Sequence, residues 1–199
     1  MFTYDYNSNL EDDSCPTNEI WYTSSDGNIV TPYATNVFGV NIVSNNYING
    51  QGIISFDGPV TTIGMRAFRN CTSLTSITIP NSVTKIGNWA FMNCNSLTSV
   101  NIPDSITTIG NSAFDLCTSL TSVTIPDSVI SIENYAFYEC TSLTSVYCKA
   151  TTPPVLGGTT VFDNNGGGRK IYVPASSVNT YKSATYWSEY KSYIVGYNF

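Results

Sequence analysis

The stretch SLTSVNIPDSITTIGNSAFDLCT, residues 96–118, is one copy of a unit that recurs almost letter for letter, with Cys71, Cys94, Cys117 and Cys140 marking copies 23 residues apart. A fixed period of this length is the mark of a solenoid. Twenty-three residues cannot bury an apolar face alone, so neighbouring copies must stack into one continuous core. Scaffolds of this kind bind other molecules along an extended face.

Each position in the unit has a physical task. Leu97, Val100 and Ile102 alternate as the buried side of a strand, as do Leu74, Ile77 and Ile79, and Leu120, Val123 and Ile125. Leu143, Val146 and Cys148 supply a fifth strand, with cysteine in the isoleucine position. Pro80, Pro103 and Pro126 follow the strands and remove a ladder donor. Ile86, Ala90, Phe91 and Cys94 then fall at helical spacing, which predicts a short helical turn on the return arm.

The frame extends upstream, since Ile54, Phe56, Val60, Ile63, Ala67 and Phe68 each precede an equivalent residue by one period, placing the first copy near Gln51. Downstream, Ile171-Tyr172-Val173-Pro174 reads as a sixth strand after a longer connection. Terminal coils expose core side chains unless they are capped. Ile20–Thr23 and Ile29-Val30 flank a Ser-Asp-Gly-Asn turn, which predicts a β-hairpin cap. Val178, Tyr181 and Ala184, followed by Trp187, Tyr190, Tyr193 and Ile194, predict a helical lid. The expected organisation is an N-terminal segment and β cap over 1–50, repeats over 51–150, and an irregular last repeat with a C-terminal cap over 151–199.

Only 11% of the residues are charged, against roughly 25% in ordinary globular proteins. The net charge is −6 and the basic residues form no run, which argues against nucleic acid as a partner. No apolar stretch of about 18 residues is present to span a membrane. Met1–Asp5 lacks the basic start and apolar middle of a secretory signal. The sparse charge and abundant Ser, Thr and Asn favour an exported surface domain whose leader is absent from this chain over a cytoplasmic protein.

The recurring Leu-Thr-Ser-Val-Thr-Ile-Pro and Ile-Gly-Asn-x-Ala-Phe-x-x-Cys segments closely resemble the BspA-like leucine-rich repeats of bacterial surface and secreted proteins, over roughly residues 51–174. Pro103, Ala113-Phe114 and Cys117 carry the register, and the ending Ile171–Ala175 with Tyr181-Lys182 and Trp187 also resembles that family. The resemblance implies a right-handed solenoid with a concave parallel sheet, and adhesion or host-protein binding as the usual role. It implies no catalytic residues and no cofactor. The expected fold is thus an α/β leucine-rich repeat solenoid with 23-residue repeats, short helical turns on the return arm, an N-terminal β-hairpin cap and a C-terminal helical cap.

The residues themselves narrow the chemistry further. Cysteines 23 apart, in a chain without His, do not match a metal site. Side chains stacked in register point the same way, a poor disulfide geometry, so Cys71, Cys94, Cys117 and Cys140 are expected as reduced core thiols, with Cys15 and Cys148 left open. Without His there is no imidazole base for a nucleophile. Asp104 and Asp127 follow equivalent prolines, where turn hydrogen bonding explains them better than paired-carboxylate catalysis. Gly166-Gly167-Gly168-Arg169-Lys170 precedes a strand and lacks phosphate-loop spacing.

Two surfaces remain as candidates for a protein or glycan ligand. The outward strand positions Ser76, Thr78, Ser99, Asn101, Ser122, Thr124, Ser145 and Tyr147 form a polar concave face, on which Tyr147 is the distinctive anchor. The rival is an aromatic strip of Trp89, Tyr135 and Tyr138 on the return arm, where the copies differ most. A structural spacer or assembly element is the alternative to binding, and the uniform Ser and Thr face suits it.

Overall fold

The computed structural model describes residues 15–199. Residues 1–14, which include Met1–Asp5 and the start of the expected N-terminal segment, lie outside the described residues. The chain forms β1 (Glu19–Ser24), β2 (Ile42–Ile48) and β3 (Gln51–Phe56), then alternates longer strands with two-residue strands. These are β4 (Thr62–Ile63), β5 (Leu74–Thr78), β6 (Lys85–Ile86), β7 (Ser99–Asn101), β8 (Thr108–Ile109), β9 (Ser122–Ile125) and β10 (Ser131–Ile132). They continue through β11 (Ser145–Cys148), β12 (Val155–Leu156) and β13 (Lys170–Pro174). Helix α1 (Val178–Ser183), a single turn at Trp187–Tyr190 and β14 (Ile194–Tyr197) close the chain.

The result is a solenoid whose coils 1 to 5 contribute β3, β5, β7, β9 and β11 to one side and β4, β6, β8, β10 and β12 to the return arm. Coil 6 begins with β13, the sixth strand expected from sequence, which pairs in parallel with β11. Alternating burial in β9 and β11 places Val123, Ile125, Val146 and Cys148 inside, as their spacing requires.

The return arm is the more regular side. Phe68, Phe91, Phe114, Phe137 and Phe162 stack face to face at 5.1–5.6 Å within 8° of parallel. Phe38 caps the column at one end, and Trp187 and Tyr190 cap it at the other. The expected helical turns take the form of consecutive i→i+3 turns, such as Ala90 N–H to Gly87 O, Met92 N–H to Trp89 O and Cys94 N–H to Phe91 O. Regular helix does not develop, because two residues in each of coils 1 to 4 hold the left-handed conformation, for example Trp89 and Asn93, Ser112 and Leu116, and Tyr135 and Glu139.

The N-terminal cap is built from β structure with different partners from those expected. Ile29 and Val30 are loop, and the hairpin lies instead at β2 and β3, turned through Asn49 and Gly50 with φ of 53° and 85°. Strand β1 inserts between β3 and β5, antiparallel to both. On the other side of the same two coils β4 and β6 pair directly. Pattern alone could not reveal this, since an inserted strand shows the same alternation as a hairpin arm. The C-terminal lid is helical over α1, but Ile194 enters β14, parallel to β13.

Candidate functional site

The eight outward strand residues occupy the expected side but do not form one sheet. Ser76 pairs with Ser99 and Thr78 with Asn101 in the sheet ordered β2-β3-β1-β5-β7. Ser122 pairs with Ser145 and Thr124 with Tyr147 in the sheet ordered β14-β13-β11-β9. Ser99, Asn101, Ser122 and Thr124 are exposed, whereas Ser76, Thr78, Ser145 and Tyr147 are half-buried. The Ser76 hydroxyl meets Thr23 of the inserted β1 at 2.6 Å, so part of this row is already occupied within the molecule.

Between the two groups the ladder is broken. Among the described residues β7 has no ladder partner on its β9 side, and Val100 is only half-buried where Ile77, Val123 and Val146 are buried. A depression of about 450 Å3 opens there, floored by Val100, Pro103 and Pro126 and rimmed by Asn81, Asn101, Asp104, Thr124 and Lys149. The prolines do not by themselves account for the break, since Pro103 has no N–H to offer Ile79 and β5 and β7 still pair in parallel. Lys149 N–H donates to Ile125 O at 3.0 Å, while Pro126, its equivalent one coil earlier, has no N–H to offer Ile102.

Beyond β9 the outer face becomes aromatic. Tyr147 stacks on Tyr172 with centroids 4.7 Å apart and planes 13° off parallel. Tyr197 meets both rings edge-on at 5.6 and 5.5 Å, and Phe199 lies 5.0 Å beyond it. Tyr197 and Phe199 are 44% and 53% exposed, so the cluster reaches solvent. Tyr172 was legible in sequence as the register partner of Tyr147; Tyr197 was not, because its strand read as part of a helical lid.

On the return arm the proposed strip divides. Trp89 is half-buried under the Arg66 guanidinium at 5.1 Å. Tyr135 is exposed and meets Tyr138 edge-on at 5.4 Å, and the Tyr138 hydroxyl accepts from Asn164 Nδ2 at 3.0 Å. The coil between them carries Ser112 and Asp115, both buried. Burial pushes the Asp115 carboxyl up to about 6, with neighbouring Glu139 adding to the rise, and its Oδ1 has no hydrogen-bond partner among the described residues.

The cysteines are structural. All six are free and buried. Cys94, Cys117 and Cys140 donate to the carbonyls of Phe68, Phe91 and Phe114 at 3.0, 3.2 and 3.1 Å, tying each coil to the one before. Burial pushes the Cys71 and Cys15 thiols up to about 11 and 12, and those of Cys94, Cys117, Cys140 and Cys148 further upward, which keeps them protonated and unreactive. Asp104 and Asp127 are exposed.

Comparison with known proteins agrees with this geometry. The family model described as BspA type leucine rich repeat region matches residues 42–167 in six copies. Among solved structures, a leucine rich cell surface protein from Faecalibacterium prausnitzii is 27% identical over 71% of this chain and 34% of its own, with a TM-score of 0.53. A leucine rich repeat protein from T. pallidum is 31% identical over 63% of this chain and 56% of its own, with a TM-score of 0.55. The chain therefore spans about a third of the first protein and just over half of the second. No curated protein matches at a significant level.

Proposed function

From the premise that this chain belongs to the BspA type leucine-rich repeat family, we propose that it is a noncatalytic binding module of the bacterial surface or exterior. It engages a protein or glycan through the outer strand face around Tyr147. Its surface location rests on the resemblance to a cell surface protein. The observation that carries the binding reading is the cluster of Tyr147, Tyr172 and Tyr197, three rings in mutual contact on the solvent side of a rigid sheet. Aromatic side chains bury a large area at little entropic cost and keep a polar tip for orientation, which is why they dominate the energetics of recognition surfaces. Exposed Ser122 and Thr124 supply adjacent hydroxyls.

The test is binding of the purified chain to an array of extracellular-matrix proteins and glycans, beside Tyr147→Ala, Tyr172→Ala and Trp89→Ala. A saturable hit weakened at least about tenfold by either tyrosine change, roughly 1.4 kcal/mol, and untouched by Trp89→Ala is expected. Loss with Trp89→Ala alone would move the site to the return arm. Absence of any hit at micromolar concentration would favour the structural spacer, which the uniform Ser and Thr row also suits.

A further inference from the structure

We propose that the break between β7 and β9 is a slot for an extended peptide, which enters as an additional strand and completes the ladder through main-chain hydrogen bonds. The inference rests on the reading that the strand face is the recognition side, and it adds a ligand class and a second place on that face. Across this boundary the return arms are fully tied: Ser112 N–H donates to Asn134 O at 2.9 Å, Phe114 N–H to Ala136 O at 2.8 Å and Leu116 N–H to Tyr138 O at 3.0 Å. Only the strand side is open, with β7 ending one sheet and β9 beginning another. Two facing edges without ladder partners present alternating donors and acceptors in the plane of the sheet. A peptide main chain has the repeat to match them, and a sugar does not.

The molecule contains its own precedent. Strand β1 takes the equivalent place between coils 1 and 2, antiparallel to β3 and β5, while β4 and β6 keep one-coil spacing behind it. Strands β7 and β9 still approach within 8 Å, so an entering strand must part them by about one more ladder spacing. The hydroxyl at one rim of the slot reports its occupancy. Ser105 and Ser128 donate to the preceding coil, at Val83 O and Ile106 O, but the equivalent Ser82 donates to Thr17 O in the lead-in to β1. In the open slot the Ser128 tie at 2.8 Å and the Ser119 to Asn95 O tie at 2.6 Å hold the two ends, and both must yield when a strand enters.

The precedent also sets side-chain requirements. In β1 the inward residues are Ile20, opposite Ile54, and Tyr22, opposite Gly52. A Cβ at Gly52 would fall 2.1 Å from the Tyr22 ring. Two periods on, the equivalents of Ile54 and Gly52 are Val100 and Thr98. Thr98 is exposed, like Thr121 and Thr144, so the register carries over only at Val100, and the slot accepts an aliphatic residue opposite it.

Two blocked peptides test this: the β1 sequence Glu-Ile-Trp-Tyr-Thr-Ser, and the same sequence with lysine for isoleucine. The parent peptide is expected to bind saturably, at least tenfold tighter than the lysine peptide, and to protect amides in β7 and β9 from hydrogen exchange. N-methylation of alternate peptide nitrogens should abolish binding. Closing the slot by oxidation of a Ser99→Cys, Ser122→Cys double variant should abolish it too, with recovery on reduction, and Ser119→Ala with Ser128→Ala should tighten it. Tyr147→Ala should leave it unchanged, so a Tyr147-dependent hit elsewhere survives if the slot fails. Equal binding of the two peptides, indifference to N-methylation, no saturable binding of the parent peptide up to millimolar concentration, or protection of the slot by a glycan instead would each overturn the proposal.

Discussion

Coils 3 and 4 meet twice, and the two meetings are built differently. On the return arm, Phe114 stacks on Phe137 at 5.2 Å, and main-chain bonds that include the β8–β10 ladder join the coils. On the strand side, near-identical local sequence yields no ladder among the described residues and leaves Val100 half-buried. The difference teaches where the repeat is rigid. Sequence identity between copies marks residues that fill a shared column and does not by itself secure ladder continuity, since β5 and β7 pair while β7 and β9, with the same proline after the strand, do not.

The largest expected contrast tests this directly. Phe114→Ala should cost about 3–5 kcal/mol, since its ring fills a column with neighbours on both sides. Val100→Ala should cost about 1 kcal/mol or less, because the side chain at the break is already partly solvated. Urea unfolding of both variants is the measurement. Similar costs would show that the two sides are equally well packed and that the break is only a gap in hydrogen bonding.

Asp115 offers a smaller effect within the rigid side. Its folded-state carboxyl titrates near 6, above the ordinary value of 3.8, because burial opposes its charge. Between about pH 4 and 6 the folded chain holds a proton that the unfolded chain has released, so stability falls as pH rises through that window and the full cost persists above it. Asp115→Asn should therefore stabilise the chain by about 1–2 kcal/mol at pH 7 and by almost nothing below pH 4. Chemical denaturation at the two pH values checks it. Glu139 faces the same group, and Glu139→Gln should recover part of the gain.

How much of this was legible in the sequence follows from what repeats. Leu97, Ile102, Ala113, Phe114 and Cys117 announced the core, and the structure buries each of them. The insertion of β1 was hidden because its partners, β3 and β5, lie far along the chain and nothing in Ile20–Thr23 distinguishes a hairpin arm from an intercalated strand. For the site, Tyr147 stood out by breaking the Ser and Thr row, but its partner Tyr197 sits on β14, whose exposed residues carry no period. The break at β7 was illegible because Val100 looks like every other strand residue.

Leu116 supplies the smallest contrast. It holds φ of 61°, as do Asn70 and Asn93 at the same position of earlier coils, near 61° and 60°. Asparagine adopts this conformation at lower cost than leucine, whose branched side chain crowds the backbone. Asn93 Nδ2 also donates to Asn70 Oδ1 at 3.1 Å, so an amide in the next coil would lengthen that ladder toward the carbonyl oxygen of Asn93. Leu116→Asn should stabilise the chain by about 0.5 kcal/mol, the relief of backbone strain exceeding the loss of a half-buried apolar side chain. A rise in urea midpoint with unchanged slope is the expected result. A fall would mean that the apolar contacts of Leu116 outweigh the strain, making coil 3 a place where packing, and not backbone preference, sets the return arm.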